Sequence, residues 1–286
     1  MKRKTISAAL RKIEASESDK PTSIAEVIDK GCLEGATKFG CFSPKSVKRQ
    51  LKKTLRAVDE EDFEREQFFI EFSRLYSTVM APDKRTFGAF HPSQLLDGCS
   101  RAFAYELLNI PPEHKVRKIS PAVQRIFDVG TWYHVYIQNI LYEQGVLEQA
   151  EVPVVNKEKF IDGKADGVFK PEVFGGEKVL LEIKTMNTWN FSKAVFRPFK
   201  KHEFQASIYA RELGATKVLY LYINKDTSEI REFLMPLNDE QLEIADKKMG
   251  EVIKHVKAGT LPRKSCDTDL CDKAINCAYR NVCFEK

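Results

Sequence analysis

The sequence predicts an α/β, or α+β, domain in which helices flank a mixed central β-sheet, preceded by a helical N-terminal extension. Three observations carry that expectation. From about residue 90 onward, helical and strand patterns follow one another in the order helix, strands, helix, strands, helix. The strand segments are short, rich in β-branched and aromatic residues, and separated by turn chemistry such as Asn156-Lys157 and Gly175-Gly176. With 43% hydrophobic and 30% charged residues in a chain of 286, a sizeable core can be buried, which excludes a disordered tail or a fibre.

The net charge of +5 is unevenly placed: the first 56 residues hold 14 Lys plus Arg against 6 Asp plus Glu. An acidic run, DEEDFERE at 59–66, follows, and then Phe68, Phe69, Phe72 and Leu75 recur at helical spacing, so short helices are expected there. The turn-rich stretch at 81–93 sets a boundary near residue 85, dividing a basic extension (1–85) from the main domain (86–286). Helices are then expected over 100–108 and 122–147, the second from the period of Val123, Phe127, Ile137 and Leu141. The segments AEVPVV, KFIDGKADGVF and KVLLEIK read as strands. A helix over 203–213, the strands KVLYLYI and IREFLMP, and an amphipathic helix over 239–257 stopped by Gly259 and Pro262 complete the order.

No apolar run approaches the roughly 18 residues a membrane span needs, and the first residues turn charged before a signal-peptide core could form. A soluble, cytoplasmic protein is expected, with no membrane partner. Its seven cysteines are odd in number and crowd the end of the chain at Cys266, Cys271, Cys277 and Cys283. Reduced, metal-binding thiols fit that pattern better than disulfides. The four tail cysteines suffice for a tetrahedral zinc site.

In KVLLEIK, alternation places Val179, Leu181 and Ile183 on one face and Leu180, Glu182 and Lys184 on the other. Such a carboxylate and ammonium form either an exposed ion pair of little worth or a metal ligand beside a catalytic cation. One hairpin upstream, Asp166 lies between Gly163 and Gly167, where absent side chains permit close approach, and it can share a hard divalent cation with Glu182. Gly130, His134 and Gln138, spaced by four, line one helical face, and Gln205 and Tyr209 do the same on a later helix. Singly, each has an ordinary structural reading: a turn aspartate, a core histidine, a boundary stripe.

In joint order these motifs, Gly-x3-His, Gly-x-x-Asp, Glu-x-Lys ending an apolar strand and Gln-x3-Tyr, resemble the PD-(D/E)xK nuclease superfamily in its RecB-like branch. The likeness covers about residues 90–286 and lacks the eponymous proline. It implies a restriction-endonuclease-like core and a magnesium or manganese ion held by His134, Asp166, Glu182 and the Ile183 carbonyl. Lys184 would activate water or stabilise developing charge, and Gln205 and Tyr209 would support the site. Some members, including AddB-type and CRISPR-associated exonucleases, carry a 4Fe-4S cluster on one upstream and three downstream cysteines. By that resemblance Cys99, Cys271, Cys277 and Cys283 would be the ligands, with Cys266 as the alternative to Cys271; Cys32 and Cys41 have no place in the pattern.

Between Lys184 and Gln205 the chain interleaves Trp189, Phe191, Phe196 and Phe199 with Lys193, Arg197, Lys200 and Lys201. Bases stack on aromatics and phosphates pair with cations, so this segment suits a single strand; alternatively its aromatics dock it on the core. The resulting expectation is a metal-dependent DNA exonuclease of recombination, repair or replication acting near single-stranded ends. A non-catalytic iron-sulfur or zinc DNA-binding subunit is the alternative. No G-x-x-x-x-G-K-[ST] loop is present, so unwinding would come from a helicase or recombination partner.

Overall fold

The computed structural model describes residues 44–59, 65–79, 88–112 and 120–284. Cys32, Cys41, the basic residues before 44 and the boundary near residue 85 lie outside them. The chain forms two compact units, one of Met1–Arg85 with Ile119–Ile126, the other of Thr86–Lys118 with Phe127–Lys286.

In the first unit, helices α1 (Pro44–Asp59) and α2 (Arg65–Val79) pair. Their contact is polar as well as apolar. Glu71 is buried, and its carboxylate accepts from Gln50 Nε2 at 2.7 Å, while its carbonyl accepts from Thr54 Oγ1 at 3.3 Å. Phe68 stacks on Phe72 one turn along, as the aromatic spacing implies.

The second unit begins with α3 (Pro92–Leu95) and α4 (Ser100–Leu107), followed by the long α5 (Pro121–Glu143), whose opening to Ile126 groups with the first unit. Strands β1 (Leu147–Asn156), β2 (Ile161–Phe169) and β3 (Val179–Met186) come next, then α6 (Thr188–Lys193), α7 (Lys200–Glu212), β4 (Lys217–Asn224), β5 (Ile230–Pro236), α8 (Asp239–Lys257), α9 (Asp272–Ile275) and α10 (Arg280–Phe284). The five strands form one mixed sheet in sequential order, antiparallel except for β3 and β4. That single parallel pair needs a crossover, and α6 and α7 supply it. The predicted architecture of a mixed sheet flanked by helices is thus the one observed.

Alternation in the central strands sorts side chains to two layers. Val179, Leu181, Ile183, Leu221 and Ile223 pack with Ile137, Tyr133 and Leu141 of α5. Leu180, Val218, Tyr220 and Tyr222 pack with Phe204, Ile208 and Tyr209 of α7 and with Leu242, Ala245 and Met249 of α8. Each fully buried Leu or Ile contributes about 1.5–3 kcal/mol, so β3 and β4, which bury apolar side chains on both faces, anchor the sheet.

One predicted boundary needs correction. The helical period extends to Leu147, but α5 stops at Glu143 and Leu147 opens β1. Gly145 adopts φ 72°, the Gly145 N–H reaches the Tyr142 carbonyl and the Val146 N–H reaches the Leu141 carbonyl, a glycine-terminated helix end.

Candidate active site

The β2–β3 ladder pairs Val168 with Leu180 and Gly167 with Leu181, and then the strands part. Asp166, the next residue along β2, fills the opening: its Oδ2 accepts the Ile183 backbone N–H at 2.6 Å. In an extended strand the N–H and C=O of one residue point the same way, so the Ile183 carbonyl faces the same gap. Glu182 and Lys184 flank it on β3, on the α7 side of the sheet.

His134 of α5 places Nδ1 3.1 Å from Asp166 Oδ1. One turn later, Gln138 Nε2 donates to the Asp166 carbonyl and to Glu151 Oε1, both at 2.8 Å, tying α5 to β2 and β1. Burial alone would raise the Asp166 carboxyl, but the His134 contact, the Lys184 charge and the Ile183 N–H outweigh it and hold the group below its ordinary value. For His134, burial is likewise outweighed, here by Asp166, and the imidazole is shifted upward.

Glu182 is 1% exposed, and burial, against the pull of Lys184, pushes its carboxyl up to about 7. Lys184 Nζ pairs with Glu182 Oε1 at 2.5 Å. A buried carboxylate beside a second carboxylate and a backbone carbonyl facing the same gap is a hard-oxygen donor set that suits magnesium or manganese. Among the described residues, no three His, Cys, Asp or Glu side chains are already gathered at coordinating distance; instead His134 pairs with Asp166 and Lys184 with Glu182.

The glycines make room for side chains of this chain itself. A Cβ on Gly163 would stand 2.5 Å from the Tyr209 hydroxyl oxygen, and one on Gly130 would stand 3.1 Å from Thr185 Oγ1. Tyr209 therefore lies flat against β2, its hydroxyl oxygen accepting from the Lys164 N–H, and braces the strand that carries Asp166. Gln205, one turn earlier on α7, is half-buried.

Sequence reasoning missed His202. The Phe199 N–H donates to the Tyr222 hydroxyl at 2.8 Å, and that hydroxyl in turn faces His202 Nδ1 at 2.6 Å. Donation from the phenol to Nδ1 leaves the ring proton on Nε2. Burial, then the charges of Lys184 and Lys201, push His202 down to about 3, so the ring is neutral. Tyr222 lies opposite Lys184 on the neighbouring strand. A histidine three residues before Gln205, on the same helix, was the available signal.

The aromatic and cationic segment divides between the two expected roles. Phe191 is buried beneath Arg231, and Phe199 stacks on Tyr222. By contrast, Trp189 is 67% exposed with Lys193 over its ring, and Phe196 is 90% exposed. Arg197 Nη2 bonds both oxygens of buried Glu203 at 3.0 Å, Lys201 pairs loosely with Asp97, and Lys200 makes no ion pair among the described residues.

At the other end of α4, the tail folds back on Cys99, which occupies the residue before the helix. Arg101 Nε donates to the Pro262 carbonyl at 2.7 Å, Ser265 Oγ to Cys99 Sγ at 3.2 Å, and Tyr105 meets Tyr279 at 5.4 Å between ring centres. Cys266 hydrogen-bonds Cys271 and lies within the electrostatic reach of Cys99 and Cys277, while Cys283 contacts Tyr105. None of these five cysteines is in a disulfide. Burial raises the Cys99 thiol, but Ser265 and the Ala102 and Arg101 amides at the helix start outweigh it, favouring the thiolate. Among the described residues, these cysteines do not form a group of three that could hold a metal ion.

No family model matches the chain, and no curated protein does. Among solved structures, the chain is similar to an alkaline exonuclease (LHK-Exo) from Laribacter hongkongensis at 14% identity, covering 60% of this chain and 90% of that one, with a TM-score of 0.43. The same enzyme in complex with dAMP gives 15% identity, 60% and 90% coverage and 0.44. The protein SSO0001 gives 16% identity, 82% and 93% coverage and 0.41. Values this low transfer neither residue roles nor substrates.

Proposed function

We propose that this chain is a divalent-metal-dependent DNA nuclease, an exonuclease acting near single-stranded ends in recombination, repair or replication. The observation that carries the reading is the meeting of Asp166, Glu182 and Lys184 where β2 and β3 part, with Lys184 paired to the buried Glu182 carboxylate. Asp166, Glu182 and the Ile183 carbonyl would hold magnesium or manganese, joined by His134 through Nε2, since Nδ1 already serves Asp166. When bound, the cation lowers the pKa of water and neutralises charge on the phosphate. Lys184 positions the attacking water or stabilises the developing negative charge. Gln205 and Tyr209 support the site, Tyr209 by bracing β2. Trp189 and Lys193, with Lys200 and Lys201, offer stacking and phosphate contacts, whereas Arg197 orders the segment through Glu203.

The corner thiols Cys99, Cys277, Cys283 and one of Cys271 or Cys266 would hold a 4Fe-4S cluster, with zinc as the competing metal. Either would tie the tail to α4. A helicase or recombination protein would supply opened DNA.

The test is digestion of 5′-labelled and 3′-labelled strands with magnesium or manganese. Activity that disappears in Glu182→Ala and Lys184→Ala supports the reading, and activity that survives both overturns it. Binding without cleavage in any divalent metal would instead identify a non-catalytic subunit.

A further inference from the structure

The first unit carries a charged face of its own. In α1, Lys45, Lys48, Arg49, Lys52, Lys53 and Arg56 are all exposed, and no acidic residue stands between the first and the last of them. With 3.6 residues per turn, the six fall within an arc of about 140° on one side of the helix. The opposite side holds Gln50 and the buried Thr54, whose side chains bond Glu71 of α2. Among the described residues, none of the six cations has an ion-pair partner.

Such a row works against the helix that bears it. Lys45 and Arg49, Lys48 and Lys52, Arg49 and Lys53, and Lys52 and Arg56 are like charges four residues apart, which repel and weaken a helix in isolation. A partner that brings negative charge along the whole row relieves the repulsion. From Lys45 to Arg56 the row runs about 16 Å at 1.5 Å per residue, too far for a small anion to meet more than its nearest cations. A nucleic-acid duplex, in contrast, passes one phosphate charge for about every 1.7 Å of its axis. Because α1 contains no aromatic residue, it offers the unstacked bases of a single strand no platform, and phosphates are what remain for it to hold.

We propose that the cationic face of α1 is a binding surface for duplex DNA, whose backbone phosphates it pairs with without reading sequence. The choice of DNA among polyanions rests on the nuclease reading, whereas the charged face does not. An anionic membrane is the rival partner, since Leu51 and Leu55 on the flank of α1 are 43% and 54% exposed. A helix lying in a membrane surface needs a free apolar face opposite its cations, however, and α2 covers that side of α1.

The experiment measures binding of the full-length protein, without divalent metal, to a fluorescent blunt duplex of arbitrary sequence over a series of salt concentrations. Arg49→Gln combined with Lys52→Gln replaces two exposed cations by a good helix former. It should weaken duplex binding about tenfold near 0.1 M salt and cut the slope of log affinity against log salt by about 2. Lys247→Gln combined with Lys254→Gln removes the same charge from exposed positions of α8 and should leave that slope as it is in wild type. An unchanged slope in the α1 variant, or an equal fall in the α8 variant, overturns the proposal. So does binding to phosphatidylserine vesicles that the α1 variant loses while its duplex binding stays intact. Duplex binding that depends on α1 without cleavage in any divalent metal would sink the nuclease reading alone; cleavage with a slope independent of α1 would sink this surface alone.

Discussion

Asp166 Oδ2 holds the Ile183 backbone N–H at 2.6 Å where the β2–β3 ladder has ended. The carboxylate thus substitutes for a strand partner, and the same opening exposes the backbone edge between Glu182 and Lys184. Asp166→Asn keeps an acceptor for that N–H, so the protein should fold while nuclease activity falls by about two to three orders of magnitude. Asp166→Ala also orphans the amide and should cost about 1–3 kcal/mol of stability. Thermal melts beside digestion of end-labelled DNA separate the two losses.

Two buried groups drive stability in opposite directions with pH. Glu182 is raised from 4.5 to about 7, so the folded state holds its proton more tightly and stability falls as pH rises from 4.5 to 7. His202 is lowered from 6.5 to about 3, so stability rises with pH between 3 and 6.5. Over 4.5–6.5 the slopes oppose, and metal-free wild type should show a shallow profile there. Glu182→Gln should uncover a rise with pH and His202→Gln a fall. His134, raised above 6.5, contributes stability below that value that is lost as pH climbs through its folded pKa, adding to the decline on the alkaline side. Melting temperatures across pH in chelator check all three signs.

How far the sequence could be read depended on whether a feature was local. The two-residue alternation in β3 placed Val179, Leu181 and Ile183 opposite Leu180, Glu182 and Lys184, because strand periodicity is a property of the backbone. The end of α5 was misplaced because Leu147, in phase with the helix, belongs to the next strand, and only the left-handed Gly145 marks the change. His202 stayed hidden because its place depends on the Tyr222 hydroxyl from another strand, which has no signature in spacing. Gly163 was legible as a close approach, but what approaches is Tyr209 from α7.

That contact yields a packing prediction. A methyl at residue 163 would stand 2.5 Å from the Tyr209 hydroxyl oxygen and 2.7 Å from Cε1, so the ring or β2 must move. Gly163→Ala should destabilise by about 1–3 kcal/mol and lower activity by displacing Asp166, three residues along. Tyr209→Phe leaves the ring carbon in place and should not relieve it, whereas Tyr209→Leu should restore part of the stability. A double-mutant cycle of denaturant melts measures the coupling.

The corner of α4 and the tail decides what the thiols hold. Cys99 is held toward the thiolate by Ser265 and the amides at the start of α4, and Cys266 reaches Cys99, Cys271 and Cys277, so the fold presents Cys266 and Cys271 together. Anaerobic purification should yield a brown protein whose iron content collapses in Cys99→Ser and Cys277→Ser, while a colourless zinc protein would reassign the metal. Of Cys266→Ser and Cys271→Ser, the variant that loses iron identifies the ligand, and the other should retain it. Because the metal would join the tail to α4, its removal should lower the melting temperature of wild type more than that of Cys99→Ser, which has already lost the tie.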